Sequence, residues 1–393
     1  MNSFNYRVPT NVIFGKDAEC KAGETIRSEG GSHVLVLYGG GSAVTSGLLD
    51  RVTASLTGAG LEWSAVGGVK PNPLLEFAQK VVDDYQNTGI DFVLGIGGGS
   101  VIDTAKSVAI GLANPQVPIW DYYSKKATIT VALPKASVVT LAAAGSETSD
   151  SAVLTNGALG EKRGINAELN RPVFALMNPE LTYTLPSHQT ACGIVDIMMH
   201  TMDRYFSCDT DNALTDAIAE GLLRTTIAAG RTAMTDPKNY KARSELMWCG
   251  SLSHNGLTGL GQKKDFSVHA IGQDISGIFN LYHAETLSVM WPAWARHVMK
   301  TSFPRFAQFG RNVWGIDDEN DEACALAGIR ATETYFKLLH MPVSLGETDI
   351  GVQPDTVIRK LAHSTSGGGT RSVGVFCPLD EENLYAVYAS ANF

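Results

Sequence analysis

The stretch DFVLGIGGGSVIDTAKSVAIGLA, residues 91–113, decides the fold of this chain. Its first six residues, DFVLGI (91–96), form an apolar run that ends in glycines, and SVIDTAKSVAIGLA (100–113) continues as a helix. A short apolar run of this kind, closed by glycine and followed directly by a helix, is one strand and one crossover of a parallel sheet. The same reading extends outward to HVLVLY (33–38), ASVVTLA (136–142) and PVFALM (172–177), with LLEFAQKVVDDYQ (74–86) as a covering helix. Strands alternating with helices predict a sheet covered on both faces. After Leu185-Pro186 the pattern becomes helical almost throughout, from HQTACGIVDIMMHTMDRYFS (188–207) to DTVIRKLAHS (355–364). The expected organisation is an α/β domain over residues 1–185 and an all-α domain over residues 186–393. The one low-complexity patch, TSGGGTRS (365–372), reads as a flexible loop.

Composition sets limits on partners. At 393 residues, with 44% apolar and 18% charged side chains, the chain can bury more than one core. A formal net charge of −9 opposes binding to nucleic acid or an anionic membrane surface, which leaves a small molecule as the expected ligand. No apolar stretch approaches a membrane span, and the start, MNSFNYRVPT, has no basic segment leading into an apolar one. Six cysteines (Cys20, Cys192, Cys208, Cys249, Cys324 and Cys377) are scattered without a C-x-x-C pair, so reduced thiols and a cytoplasmic location are expected.

Two glycine clusters follow strands. In the stronger, Gly95-Ile96-Gly97-Gly98-Gly99-Ser100, the backbone can approach an anion closely, and the helix start adds free amides and its positive dipole end. That geometry suits a pyrophosphate. The dinucleotide fingerprint is only half matched, because Ser100 stands where a third Gly or Ala belongs, and no Lys-Ser or Lys-Thr follows, which argues against a nucleotide triphosphatase. The second cluster, Tyr38-Gly39-Gly40-Gly41-Ser42, lacks the acid that would accept from the ribose 2′-hydroxyl of NAD. Small neutral residues and the Ser42 hydroxyl leave room for a 2′-phosphate, so NADP(H) is expected over NAD(H).

In GIVDIMMH (193–200), Asp196 and His200 are four apart and leave one face of a helix, as two ligands of one ion would. Downstream, DFSVHAIGQDISGIFNLYH (265–283) supplies His269 and His283. Three imidazoles and a carboxylate suit Fe²⁺ or Zn²⁺ in a catalytic site better than a thiolate-rich structural one. Each residue alone would more often be a satisfied polar core residue. Their occurrence together with the glycine loops favours one divalent metal.

These motifs, with NVIFGKDA (11–18), VKPNP (69–73), AAGSE (143–147) and NPELTYTLP (178–186), make the chain resemble the iron-containing (group III) alcohol dehydrogenases over nearly its whole length. The branch it is most similar to is that of the butanol dehydrogenase-like, NADPH-dependent aldehyde reductases. The resemblance implies the dehydroquinate synthase-like fold: an N-terminal α/β dinucleotide-binding domain, an all-α C-terminal metal-binding domain, and the nicotinamide in the cleft between. It implies hydride transfer between NADP(H) and a small primary alcohol or aldehyde polarised by the metal, in a homodimer or larger homo-oligomer. By motif it marks Asp196, His200, His269 and His283 as ligands of Fe²⁺ or Zn²⁺. It marks Gly39, Gly40, Ser42, Asn72, Gly98, Gly99, Ser100, Thr140 and Lys162 for the cofactor, Lys162 lying near the nicotinamide ribose.

Four positions depart from the family pattern: Ala144 for a common Thr, Asn178 for a frequent Asp, Phe279 for a frequent His, and Gln273 for a second histidine facing the substrate. Gln273 is expected on the substrate side, where an amide cannot relay a proton, so water or a cofactor ribose hydroxyl is the expected proton source. Phe279 implies a more apolar substrate pocket. The remaining histidines, His33, His188, His254, His297, His340 and His363, are expected to be structural or on the surface. Two rival readings are a dehydroquinate synthase-like NAD and metal lyase, for which Lys263 and Lys264 make too small a basic cluster, and a non-catalytic nucleotide- and metal-binding descendant, motivated by Gln273.

Overall fold

The computed structural model describes residues 1–208 and 211–393. The chain divides into two compact units, one of Arg7–Leu185 and one of Met1–Tyr6 with Pro186–Phe393. The first six residues, expected in the α/β domain, thus group with the helical one, where the Asn2 N–H donates to the Gly261 carbonyl at 3.0 Å.

In the first unit, β1 (Asn11–Phe14), β2 (His33–Tyr38), β3 (Glu62–Val66), β4 (Phe92–Gly97), β5 (Lys135–Val139) and β8 (Phe174–Met177) form one sheet. Its order is β1-β8-β5-β4-β2-β3, and every neighbouring pair is parallel. The covering helices are α1 (Ala22–Ser28), α2 (Ser42–Thr45), α3 (Leu48–Gly58), α4 (Leu75–Tyr85), α5 (Gly99–Ala113) and α6 (Ile119–Tyr123). Period-two alternation divides each central strand between two cores. Val34, Val36, Phe92 and Leu94 pack with Ile26 of α1 and Val52 and Leu56 of α3, whereas Leu35, Leu37 and Val93 pack with Val81 of α4 and Val108 of α5. Burial on both faces is why β2 and β4 read as unbroken apolar runs.

From β2 the chain passes outward to β3, then returns across β2 to β4. The strand order therefore reverses between β2 and β4, and the carboxyl ends of these two strands flank the crevice in which such sheets hold ligands. A separate antiparallel pair, β6 (Ser151–Asn156) and β7 (Glu161–Asn166), was not foreseen from the sequence. Its second strand, EKRGIN, has one large apolar residue, too few for an alternation to stand out.

The second unit is helical: α7 (Ser187–Tyr205), α8 (Ala213–Thr235), α9 (Tyr240–His254), α10 (Ser267–Phe279), α11 (His283–Val298), α12 (Phe303–Trp314), α13 (Asp321–Leu338), α14 (Asp355–Thr365) and α15 (Glu381–Ser390). From Ile194 to Tyr205 every residue of α7 is buried, so α7 is the central helix of its unit. Phe206, Trp291, Trp294, Phe306, Phe309 and Phe376 form an aromatic cluster beyond its end. The patch expected as a flexible loop is a hydrogen-bonded turn. Gly367, Gly368 and Gly369 have φ of 60°, 72° and 76°, a left-handed run open to glycine, and the Gly368 N–H donates to the His363 carbonyl to close α14. Among the described residues no helix is long and apolar enough to cross a membrane.

Candidate metal centre and cofactor loops

The spacing of Asp196 and His200 places both on one face of α7, and α10 and α11 bring in histidines near their starts. His200 Nε2 lies 3.4 Å and His269 Nε2 3.9 Å from Asp196 Oδ1, and one donor atom from each of the three residues lies within 4.8 Å of the others. Donors at 2.0–2.1 Å around a tetrahedral ion stand about 3.3 Å apart, so a small inward movement of the ring nitrogens would close the set. The His200 and His269 rings are 4.4 Å apart between centroids, and the His283 ring is 5.3 Å from that of His269. Three of the four expected ligands, Asp196, His200 and His269, therefore come together in the helical unit, and the ring of the fourth, His283, stands beside that of His269.

The hydrogen bonds around these rings suit a cation. His269 Nδ1 is hydrogen-bonded to the buried carboxylate of Asp203, and a neutral ring that donates there has its lone pair on Nε2. This Nε2 is buried and makes no hydrogen bond, an arrangement that is costly unless a group such as a metal ion faces it. Burial first, and the neighbouring imidazoles of His254 and His269 next, hold the pKa of His200 well below its ordinary value, in the neutral form a metal needs. His200 Nδ1 stands 2.7 Å from Nδ1 of His254, so one ring must donate to the other. If Nε2 of His200 faces the ion, the donor is His200.

Asp203 and His254 were missed in the sequence. Asp203 was legible, since 196, 200 and 203 stand at i, i+4 and i+7 on one helix face. His254 was expected to be structural, and only its approach from α9 reveals its partner. Burial pushes the Asp203 carboxyl up, and His269 pulls it back. Gln273 is half-buried on α10, one turn past His269. Phe279 ends α10, about 15 Å along the axis from His269. Trp291 belongs to the aromatic core and Trp248 is 42% exposed.

In the α/β unit six of the residues expected at the cofactor, Gly39, Gly40, Ser42, Gly98, Gly99 and Ser100, follow the carboxyl ends of β2 and β4, where Tyr38 pairs in register with Ile96; Asn72 lies after β3, Thr140 after β5 and Lys162 on β7. Gly39 and Gly40 follow β2 and Ser42 opens α2, while Gly98 precedes α5 and Gly99 and Ser100 begin it. The first amides of a helix lack acceptors within it. At Gly40 and Gly41 an added Cβ would meet nothing within 4 Å, so the backbone is bare to an approaching phosphate. At Gly97 a Cβ would lie 2.4 Å from Val101 Cγ2, which makes glycine obligatory at this turn. The Thr140 N–H donates to the Gly97 carbonyl at 3.1 Å. Lys162 is not simply solvated, because its Nζ donates to Asn72 Oδ1 at 2.9 Å and links β7 to the 69–73 turn.

Behind the loop, Lys106 on α5 is fully buried. Its Nζ donates to Ser146 Oγ at 2.8 Å and the Ser151 carbonyl at 2.6 Å, while Asp103 accepts from Ser146 Oγ and from the Val153 N–H. These two residues brace α5 against the AAGSE segment. Burial lowers the Lys106 pKa to about 8, against the pull of Asp103.

Comparison with known proteins agrees with both halves. Residues 9–179 match the family model described as iron-containing alcohol dehydrogenase, and residues 190–391 the model of the C-terminal part of that family. NADH-dependent butanol dehydrogenase A of Clostridium acetobutylicum is 37% identical over 390 residues, covering 99% of both chains. The NADPH-dependent aldehyde reductase of Escherichia coli is 34% identical, covering 92% of this chain and 93% of its own. The crystal structure of NADH-dependent butanol dehydrogenase A from Thermotoga maritima superposes with a TM-score of 0.95 at 33% identity, over 100% of this chain and 99% of its own.

Proposed function

We propose that this chain, which belongs to the iron-containing alcohol dehydrogenase family, is a reductase of small aldehydes, and a dehydrogenase of the matching primary alcohols, that works with NADPH and one divalent metal ion. The family makes it an oxidoreductase of the alcohol dehydrogenase and aldehyde reductase class. The observation that carries the metal reading is the buried Nε2 of His269, without a hydrogen bond and 3.9 Å from Asp196, with its Nδ1 committed to Asp203. Asp196, His200, His269 and His283 would hold Fe²⁺ or Zn²⁺. When bound, the ion supplies Lewis-acid polarisation of the carbonyl oxygen and the nicotinamide supplies hydride.

The chain's own residues do the rest. Asp203 and His254 fix which nitrogen of His269 and of His200 is bare. The amides at Gly98, Gly99 and Ser100 hold the pyrophosphate, Thr140 steadies that turn, and the Lys162 and Asn72 pair receives the nicotinamide ribose. The Gln273 amide can orient substrate but cannot give it a proton, so the proton would have to come from water or from a ribose hydroxyl of bound cofactor. The names of the relatives divide between NADH and NADPH. Support for NADPH is therefore the acid-free Tyr38-Gly39-Gly40-Gly41-Ser42 run. A cytoplasmic, homodimeric or larger assembly belongs to the same proposal, and sedimentation velocity tests its size.

Replacing His269 with Ala should abolish metal content and aldehyde-dependent NADPH oxidation together. Full turnover in that variant would refute the site.

A further inference from the structure

We infer that Asp265 is a positioning residue for the metal centre: its buried carboxylate fixes the start of α10, and with it His269, to the end of α7 and to the backbone of residues 375–376. The inference rests on the metal reading above and adds to it a residue that touches neither metal nor substrate.

Asp265 lies two residues before α10 and is 7% exposed. Its Oδ1 accepts from the Ser267 N–H at 2.9 Å and from the Ser267 hydroxyl. Its Oδ2 accepts from the Val375 and Phe376 N–H groups, both at 2.7 Å. The Asp265 N–H in turn donates at 2.9 Å to the carbonyl of Asp203, whose carboxylate holds His269. A local Asx turn ahead of the helix explains the contact of Oδ1 with Ser267. It does not explain Oδ2, which turns away from the helix and takes two amides of a segment more than a hundred residues on.

The adjoining residue shows what this brace holds in place. Phe266 has φ of 57°, a conformation that a bulky side chain keeps only where its surroundings impose it. Its ring stands 5.3 Å from that of His269 and 6.3 Å from that of His200, and the Arg204 guanidinium lies 4.8 Å over it. Arg204 also donates to the His200 carbonyl. Contacts thus run from α7 through residues 265–266 into α10. On the far side the brace ends in Phe376, whose ring packs in the aromatic core against Phe206, Trp294 and Phe306. At Gly374 an added Cβ would lie 3.0 Å from Asp265 Oδ2, so the two segments meet closely. Ring placement at His269 depends on where α10 begins, and Asp265 sets that point from three sides.

Asp265→Asn keeps the shape but cannot accept at both ends, because its NH₂ faces N–H groups. Asp265→Ser keeps a short acceptor for the Ser267 N–H and gives up residues 375–376. The full-length chain, stripped by chelation and titrated with Zn²⁺ against a competing chelator, should bind the metal 10- to 100-fold more weakly in both variants. The rise in unfolding temperature on saturation with Zn²⁺ should shrink, whereas a merely structural role would lower the metal-free and metal-bound transitions equally. If Asp265→Asn does not fold, Asp265→Ser decides. Zn²⁺ affinity within twofold of the parent in the folded variants, beside its loss in His269→Ala, would overturn the role of Asp265. Retention of affinity in His269→Ala would instead overturn the metal reading beneath it.

Discussion

The His269 side chain shows how much a single tautomer decides. With Nδ1 given to Asp203, only Nε2 can meet a cation, and removing the acceptor frees the ring to turn or to take its proton on the other nitrogen. Asp203→Asn should weaken metal binding 10- to 100-fold while far-UV circular dichroism stays unchanged, measured by competition with a chelator. In the other unit, Gly39 has space for a side chain, since a Cβ there would stand 3.6 Å from Val101 and from the Val69 carbonyl. Gly39→Asp should place an acid at the adenosine ribose, so the ratio of kcat/KM for NADPH over NADH should fall at least tenfold; an unchanged ratio would refute the reading of that loop. Lys106 gives a pH dependence whose sign follows from burial. Below about pH 8 the lysine is protonated in both folded and unfolded chains, and the cost of burying its charge is fully present. Between about 8 and the ordinary 10.5 the unfolded chain holds the extra proton, so the stability that Lys106 contributes rises with pH. Urea unfolding of the parent and of Lys106→Met should differ by a constant amount below about pH 8, with the difference moving in favour of the parent above it.

Among elements, α7 is anchored at its C-terminal end. Near its end the Arg305 guanidinium of α12 meets the Asp216 carboxylate of α8 through two nitrogens and donates to the Tyr205 carbonyl, with side chains 1% and 5% exposed in the ion pair. Arg305→Ala would strand a buried carboxylate and should lower the unfolding free energy by about 3–5 kcal/mol, as read from urea midpoints. Elements such as β2, β4 and α7 were legible because burial on both faces leaves unbroken apolar runs or a helix-long pattern. The β6 and β7 pair was not, since EKRGIN carries almost no apolar signal, and neither was the turn at Gly367–Gly369, where a glycine run reads alike whether loose or hydrogen-bonded. The candidate ligands were read from spacing on α7 and from motif in α10 and α11, and the structure groups Asp196, His200 and His269. Its outer partners were harder. Asp203 shared a face with the ligands, but His254 and Asp265 act through tertiary contacts that no local pattern encodes.

For the molecule as a whole, the proposed chemistry would be divided between two compact units, the dinucleotide on the α/β unit and the metal on the helical one. Ligands stabilise the unit that binds them, by about 2.7 kcal/mol at a concentration one hundred times Kd. Hydrogen exchange should therefore slow around β2 and β4 with NADPH and around α7, α10 and α11 with Zn²⁺. Protection of the wrong unit would contradict the assignment of the two sites. The proposed chemistry requires one divalent ion held by four side chains of the helical half. Anomalous diffraction from crystals of the metal-loaded protein, collected above and below the absorption edge of iron and of zinc, tests it most directly. One strong peak is expected within about 2.0–2.2 Å of Asp196, His200, His269 and His283. A peak elsewhere, or none in protein shown to carry stoichiometric metal, would contradict it.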